Sequence, residues 1–407
     1  MPTLPFDQAR QIVLREMGSA TPASERVDLD EALGRILAAD VAADRDQPPF
    51  PRVTRDGFAV RAADVAAASA EAPVTLAVIG EAPPGAPFPG AVGPRQCVEI
   101  MTGAALPDGA DAVVMVEHTE RPGPGSVAIR RAVVAAENVV ARGSELRAGA
   151  VALPARHRLD PSALGLLASV GCARPSVFAR PRVAIVTTGD ELVELDEAPR
   201  PTEIRNSNRH SLAAQIARAG GMPRPAPIAR DERQALRAVI EEALKDADLL
   251  LLSGGVSMGK YDFVEEVLAA LGGEVVFDGV AIRPGKPLVF GRVRNVPFFG
   301  LPGNPLSTIV CFELFVRPAL ALLGGADAAP LHFTQAPLVE DYAQRSVPLT
   351  VFVPARFEHT GRVTAVRPVP SQGSGDLAAM ARAECLMVLE PGTTALPAGA
   401  LVPILPK

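Results

Sequence analysis

Three glycine-containing segments follow predicted strands and have the composition of phosphate-binding loops. The first loop is Thr188–Leu192 (TGDEL), the second is Ser253–Gly259 (SGGVSMG) and the third is Gly300–Pro305 (GLPGNP). Glycine lets main-chain N–H groups approach an oxyanion, and the N-terminus of a following helix adds partial positive charge. One such loop alone is also compatible with a simple tight turn. Because parallel strands end at one edge of a sheet, the three together predict a phosphate site.

Two common nucleotide-binding patterns do not fit these loops. Gly254 is not followed by Gly-Lys-Ser/Thr at the Walker A spacing, and no G-x-G-x-x-G opens a helix after the first strand. The sequence therefore argues against ordinary kinase-like and NAD-dependent chemistry.

Acidic and basic side chains stand in or beside the same loops. Glu191 belongs to the first loop, Asp231 begins a helix and Asp262 follows the second loop. Carboxylates repel a bound phosphate unless a divalent cation lies between them, so the sequence predicts Mg²⁺. Asp231 and Asp262 are also compatible with helix N-caps. Arg283 and Lys286, in the turn RPGKP, are predicted to contact the ligand.

The segment that positions these loops alternates between strands and helices from Arg182 to Arg317. The runs RVAIVTT, DLLLLSG, EVVF, PLVFG and VPFFG are predicted strands, with amphipathic or apolar helical segments among them. LLLL and PFF are apolar throughout, as expected for strands covered on both faces. This pattern predicts a doubly wound α/β domain.

The rest of the chain is predicted to form smaller parts around this domain. Two short helices are expected over residues 5–17 and Asp28–Leu37, and β-like runs between Gln47 and Arg142 predict an inserted β-rich module. A strand and a helix between residues 143 and 180 are expected to pack beside the first helices. The runs after Gly325 predict a final small β domain.

Composition and charge exclude several classes of protein. The 407 residues include 40 Lys plus Arg and 46 Asp plus Glu, and no block of like charges suggests a nucleic-acid or membrane surface. No apolar run is expected to span a bilayer. The four cysteines are widely spaced and form no C-x-x-C pair, which argues against zinc. The chain is predicted to be cytoplasmic.

Several segments taken together resemble the MoeA family of molybdopterin molybdenumtransferases, whose eukaryotic relative is the E domain of gephyrin. SGGVSMGKYD, RPGKPLVFG and GLPGNPLSTIVCFELFVRP are similar to family motifs of the α/β domain. PPFPRVTRDGFAVRAAD, IMTGAALPDGADAVVMVE, NVVARGSEL and PSQGSGDL extend the likeness to nearly the whole chain.

The resemblance implies an elongated, dimeric, four-part subunit with a cleft shared between protomers. Its parts would be a helical and strand linking and dimerisation domain (1–46 with 142–180), an inserted β-rich domain (47–141), the molybdopterin-binding α/β domain (181–326) and a small C-terminal β-barrel domain (327–407). Candidate partners beyond the second subunit are the molybdopterin adenylyltransferase and apo-molybdoenzyme chaperones.

The family reaction inserts molybdate into adenylylated molybdopterin with Mg²⁺-dependent release of AMP. By position, the resemblance implies an acidic catalytic set of Asp56, Glu191, Asp231 and Asp262, the last three of which would also hold the metal. It implies molybdate contacts at Arg356 and Ser374. The implied substrate contacts are Thr102, Gly254, Gly255, Ser257, Arg283, Lys286, Pro302, Gly303, Asn304 and Pro305.

Three positions depart from the family pattern. Arg55 stands where Met usually precedes Asp-Gly, Glu145 where an Asp is common after Arg-Gly, and Arg283 where a Lys is usual. The guanidinium of Arg283 retains the charge but is planar and bulkier.

Two alternatives to the insertase stay open at this point. One is adenylylation of molybdopterin by ATP, since related single-domain adenylyltransferases share the α/β fold. The other is a non-catalytic scaffold or cofactor-storage protein, which a degraded acidic set would indicate.

Overall fold

A doubly wound sheet with helices on both faces forms the centre of the chain. The structure is a computed structural model that describes residues 3–18, 22–255, 263–327, 331–361 and 363–407. The strand order in this sheet is Met222–Pro225, Arg182–Thr187, Leu249–Ser253, Val296–Leu301, Val289–Val293 and Glu274–Phe277. The first four run parallel, and Val289–Val293 runs antiparallel to both of its neighbours, Val296–Leu301 and the edge strand Glu274–Phe277. The predicted fold class is confirmed, with a mixed rather than purely parallel sheet.

Two apolar layers hold the helices against this sheet. One face packs on the helices Phe6–Met17, Ser207–Arg218 and Pro305–Leu323, and the other on Arg233–Ala243 and Val264–Ala270. Side chains of the strand Leu249–Ser253 alternate between the layers, which explains why this run has no polar residue before Ser253. The sheet is thereby a rigid base for the loops at its carboxyl edge.

The helix Pro305–Leu323 corrects the expectation that no apolar segment is long enough to cross a membrane. It comprises Pro305–Cys311, a π-helical turn Phe312–Val316 and Arg317–Leu323. Its 19 residues are sufficient in length and composition, but 78% of the apolar window is buried inside the protein. It is the core helix of the α/β domain.

The N-terminal part combines short strand pairs with one α-helix and a 3₁₀ turn. Ser24–Arg26 pairs with Ser176–Phe178, Val41–Ala42 pairs with Val151–Leu153, and the helix Pro161–Ser169 packs beside them. The predicted helix Asp28–Leu37 is wrong: only the 3₁₀ turn Leu29–Glu31 is helical. Gly34 has a φ of +76°, and Leu37 bridges Val177, so strand pairing prevails over the helical pattern.

The inserted module is a β-sheet. Its strand order is Ala112–Met115, Gly57–Val60, Gln96–Ile100, Val74–Ala82, Ser126–Ile129 and Thr119–Gly123. The pair Arg52–Val53 and Val139–Val140 lies where the chain enters and leaves it, and the turns Ala62–Val65 and Val116–His118 are 3₁₀ helices. The predicted strands of this module are therefore present.

The C-terminal part is a second β-sheet, which also includes two residues of the α/β segment. Its strand order is Ile282–Arg283, Thr350–Thr360, Cys385–Leu389, Leu401–Pro406 and Thr334–Pro337, with Val363–Pro368 paired to Thr350–Thr360. Leu338 bridges Val366, which curls the sheet back on itself as in the expected barrel. The pair Tyr342–Ala343 with Ala395–Leu396 and the helix Leu377–Arg382 complete it. The exact domain boundaries remain a prediction.

Candidate functional site

A cavity of about 510 Å³ lies at the carboxyl edge of the central sheet, where the three loops meet. This first cavity brings together eight of the residues singled out in the sequence: Glu191, Asp231, Gly254, Gly255, Pro302, Gly303, Asn304 and Pro305. The loops converge because they leave the adjacent strands Arg182–Thr187, Leu249–Ser253 and Val296–Leu301 in the same direction. Ser257 and Asp262 lie outside the described residues.

The first two loops are in such close contact at position 254 that only glycine fits there. Gly254 has a φ of +92°, and a Cβ there would lie 2.4 Å from the carbonyl oxygen of Thr188. Any side chain would therefore force the loops apart, in addition to the cost of a left-handed backbone. The glycine-rich sequence thus reflects contact between loops at the wall of the cavity.

Two helices direct their N-termini at the first cavity. Asn206, Ser207 and Asn208 line it at the start of the helix Ser207–Arg218. Asn206 caps this helix by accepting a 3.2 Å hydrogen bond from the main-chain N–H of Arg209, and its Nδ2 donates to Thr187 Oγ1 over 2.8 Å. The core helix begins at Pro305 in the wall of the same cavity. Both helix dipoles therefore favour an anion there.

The asparagines at 206 and 208 were not anticipated from the sequence. The only available signal was the run of polar residues Asn206–Asn208 before an apolar helical pattern, which on its own predicts an N-cap.

The carboxylates of the first cavity are held by the first loop. Thr188 Oγ1 donates a 2.6 Å hydrogen bond to Asp231 Oδ1, and the main-chain N–H of Asp231 donates to Asp190 Oδ1 over 3.2 Å. The helix Arg233–Ala243 starts after Glu232 rather than Asp231, so the N-cap interpretation of Asp231 is wrong. The carboxylate of Glu191 folds over Gly189, where a Cβ would lie 2.7 Å from its Oε2. Within the described residues, no cluster of three or more His, Cys, Asp or Glu forms a metal site.

A second cavity, of about 530 Å³, adjoins the first and lies between the α/β domain and the C-terminal sheet. Arg283, Lys286 and Ser374 line it, as do Tyr342 and Gln344, which the sequence did not single out. The two cavities share the wall residues Pro287, Pro302 and Asn304. The loop edge and the cationic cavity are therefore immediate neighbours.

The RPGKP turn that carries Arg283 and Lys286 is packed against the core helix. Gly285 has a φ of +112°, and a Cβ there would lie 2.5 Å from Cys311 Sγ. Tyr342, opposite the turn, has its pKa raised by burial, an effect that the charge of Arg283 partly opposes. The phenol therefore remains a hydrogen-bond donor at neutral pH.

Asp56 and Thr102 form a separate pair on the inserted module. The main-chain N–H and the Oγ1 of Thr102 both donate to Asp56 Oδ1, over 2.7 and 2.8 Å. These two hydrogen bonds lower the pKa of Asp56, the main-chain one having the larger effect. Neither residue is in the described walls of the two cavities, and nor is Arg356, which is exposed on the strand Thr350–Thr360. A single chain thus does not bring these three residues to the loop edge.

Two of the three departures from the family pattern lie away from the cavities. Arg52 Nη2 donates a 2.8 Å hydrogen bond to Glu145 Oε1, which gives the longer side chain of Glu145 a partner on the inserted module. Arg55 is exposed next to Asp56. Only Arg283 lines a cavity among the described walls.

Comparison with known protein families covers most of the chain. The model of the MoeA N-terminal region (domain I and II) matches residues 4–171, that of a probable molybdopterin binding domain matches 184–322, and that of the MoeA C-terminal region (domain IV) matches 338–407. All three regions occur once and in this order.

Individual relatives match over similar lengths. A protein of Bacillus subtilis named molybdopterin molybdenumtransferase is 37% identical over 385 residues, which is 94% of this chain and 89% of that protein. A protein of the same name from Staphylococcus aureus is 34% identical over 99% of this chain and 95% of its own length. The crystal structure of a molybdopterin biosynthesis MoeA protein from Pyrococcus horikoshii OT3 superposes with a TM-score of 0.86, at 27% identity and full coverage of both chains.

Proposed function

The chain belongs to the MoeA family, and from this premise we propose that it is a molybdopterin molybdenumtransferase that inserts molybdate into adenylylated molybdopterin and releases AMP with Mg²⁺. The observation that carries this proposal is the pair of adjoining cavities. The first combines glycine loops, helix N-termini and carboxylates, and the second combines two cations with hydroxyl groups. A ligand with a phosphoanhydride at one end and an oxyanion acceptor at the other suits this arrangement.

The residues of the first cavity suit a phosphate with its metal. Mg²⁺ prefers one or two carboxylates together with substrate phosphate oxygens, and Glu191 and Asp231 supply two carboxylates in one wall. Asp262, in the sequence after the second loop, is the third candidate ligand. When bound, Mg²⁺ would neutralise charge that develops on the departing phosphate.

The chain's own groups would position the substrate on either side of this phosphate. The N-terminal turn of the helix Ser207–Arg218 would attract the phosphate, and Thr188 would keep the Asp231 carboxylate oriented through its 2.6 Å hydrogen bond. In the second cavity Lys286 and Arg283 would hold anionic groups, and Ser374 and Tyr342 would donate hydrogen bonds to molybdate oxygens. No side chain is required as a covalent nucleophile.

A homodimer would complete this site. Asp56 and Thr102 are missing from the walls of both cavities, and Met101 and Val116 beside them are 44% and 52% exposed. We propose that a second subunit covers this surface and receives Asp56 at its own loop edge. Light scattering should give a mass near twice the monomer mass of 42.4 kDa, and a monomer at all concentrations would contradict a shared site.

The activity is tested with purified protein, adenylylated molybdopterin, molybdate and Mg²⁺. AMP should appear only when molybdate is present, should stop when EDTA is added and should return with excess Mg²⁺. Glu191→Gln should lower the rate by about 10²-fold. The matched control is Glu194→Gln, because Glu194 pairs with Arg209 and is not in the described wall of the first cavity.

Two outcomes would contradict the insertase. Consumption of ATP with release of pyrophosphate would indicate an adenylyltransferase. Ligand binding without AMP release, unchanged in Glu191→Gln, would indicate a scaffold or storage protein.

A further inference from the structure

Asn208 connects two of the three loops in the first cavity. It lies in the first turn of the helix Ser207–Arg218, and its Nδ2 donates to Ser253 Oγ over 2.9 Å and to the carbonyl oxygen of Gly303 over 2.7 Å. Ser253 ends the strand that leads into the second loop, and Gly303 belongs to the third loop. Both protons of one amide group thus join segments that are about 50 residues apart in the sequence.

The orientation of this amide follows from its partners. A rotated amide would place Oδ1 2.7 Å from the Gly303 carbonyl oxygen, with two acceptors facing each other. Nδ2 must therefore face Gly303, and Oδ1 must point the other way.

The remaining oxygen of this amide is an unsatisfied acceptor. Asn208 Oδ1 is buried and receives no hydrogen bond from the described residues, and Asn208 is part of the cavity wall. A buried acceptor is unfavourable unless a donor reaches it. The ionised oxygens of a phosphoanhydride and of molybdate are only acceptors, so neither group can satisfy it.

We propose that Asn208 both fixes the spacing of the second and third loops and accepts a hydrogen bond from an N–H or O–H group of the substrate. This proposal rests on the proposed function, which supplies a substrate with two such sources: the amino and ring N–H groups of a pterin and the ribose hydroxyls of the adenylyl group. Asn208 is a positioning residue through Ser253 and Gly303, and a specificity residue through Oδ1.

Binding to the full-length protein tests the acceptor without any turnover. AMP and a free pterin are titrated separately by calorimetry into the wild type, Asn208→Ala and Asn208→Asp. Asn208→Ala should lower the affinity for one probe about tenfold and leave the affinity for the other almost unchanged. The affected probe is the one that carries the donor group. Asn208→Asp keeps an acceptor oxygen but has no N–H, so it should bind the affected probe more tightly than Asn208→Ala does.

Hydrogen exchange tests the loop contacts. Both Asn208 variants and Ser253→Ala should exchange faster at the main-chain amides of the third loop. His210→Ala is the control, because His210 is exposed on the same helix and is not in the described cavity wall.

Three results would overturn the proposal. These are wild-type binding of both probes by Asn208→Ala, equal losses in Asn208→Ala and Asn208→Asp, or an equal loss in His210→Ala. Because binding requires no molybdate-dependent turnover, a wild type that binds the probes but releases no AMP would refute the proposed function alone.

Discussion

At the scale of single residues, Gly254 is where one added methyl group should disturb the site most. Gly254→Ala should lower stability by about 1–3 kcal/mol, because it combines a φ of +92° with a Cβ 2.4 Å from the Thr188 carbonyl oxygen. The matched control is Gly123→Ala. An added Cβ at this position would have no neighbouring atom within 4 Å, so the substitution should change stability by less than about 0.5 kcal/mol. Denaturant unfolding followed by circular dichroism compares the two. Equal midpoints would contradict the steric argument.

Thr102 should control the protonation of Asp56. Its hydrogen bonds lower the pKa of Asp56 below the ordinary value of 3.8. They therefore stabilise the folded protein above pH 3.8. This stabilisation is lost as the pH falls through the lowered pKa that Asp56 has in the folded protein. Thr102→Val removes the Oγ1 bond but keeps the main-chain one, so the pKa of Asp56 should rise without reaching 3.8. An NMR titration measures it. The control is Thr54→Val, which removes the hydrogen bond from Thr54 Oγ1 to the carbonyl oxygen of Asn138 and should leave the pKa of Asp56 unchanged.

The site residues that could be predicted from the sequence are of amino-acid types that have few other structural roles at such positions. Gly254, Gly303 and Lys286 could be placed at a loop edge because glycine and lysine occur there for a recognisable physical reason. Asn208 and Tyr342 could not, since polar residues at a helix start and a lone tyrosine in a short strand are ordinary features of any fold. Their roles depend on long-range contacts to Ser253, Gly303 and Arg283.

At the scale of elements, pairing with distant strands determines the secondary structure of segments whose local sequence pattern predicts something else. Asp28–Leu37 has helical spacing, yet Ile36 and Leu37 bridge Arg158 and Val177 as extended chain. Met222–Pro225 is not among the predicted strands. Its prolines cannot donate to a ladder, and it is an edge strand, where that loss is tolerated. The long apolar strands and the core helix could be predicted without knowledge of tertiary contacts, because an element that is buried on both sides has a continuous apolar sequence.

The π-helical turn of the core helix places a buried carboxylate among cations. Glu313 is 4% exposed and accepts hydrogen bonds from Gln215 and Arg218, with Arg317 Nε 3.0 Å from Oε2. Glu313→Ala should lower stability by about 1–3 kcal/mol, less than for a fully buried pair because both arginines are partly exposed to water.

The measurement for this element is thermal unfolding with a matched surface variant. Glu265→Ala removes an exposed carboxylate from another helix of the same domain and should shift the midpoint very little. If Glu313→Ala were as stable as Glu265→Ala, the cluster around Glu313 would not hold the core helix to the helix Ser207–Arg218.

At the scale of the whole molecule, the separation of Asp56 from the loop edge argues for a site built from two chains. Glu191 and Asp56 belong to different parts of one subunit, and only Glu191 lines a described cavity wall. If each site takes its loop edge from one subunit and Asp56 from the other, a mixed dimer of two inactive variants must contain one intact site and one doubly defective site.

Mixing Asp56→Ala with Glu191→Gln after dissociation and reassociation should therefore restore activity far above the residual rate of either variant alone. Random pairing makes half of the dimers mixed, each with one intact site of two, so recovery should approach about a quarter of the wild-type rate. A mixture of Asp231→Asn and Glu191→Gln is the control and should recover nothing, because both residues line the same cavity of one subunit. Failure of the first mixture, with mixed dimers verified by mass spectrometry, would place Asp56 and Glu191 in one subunit's site and require a movement of the inserted module toward its own loop edge.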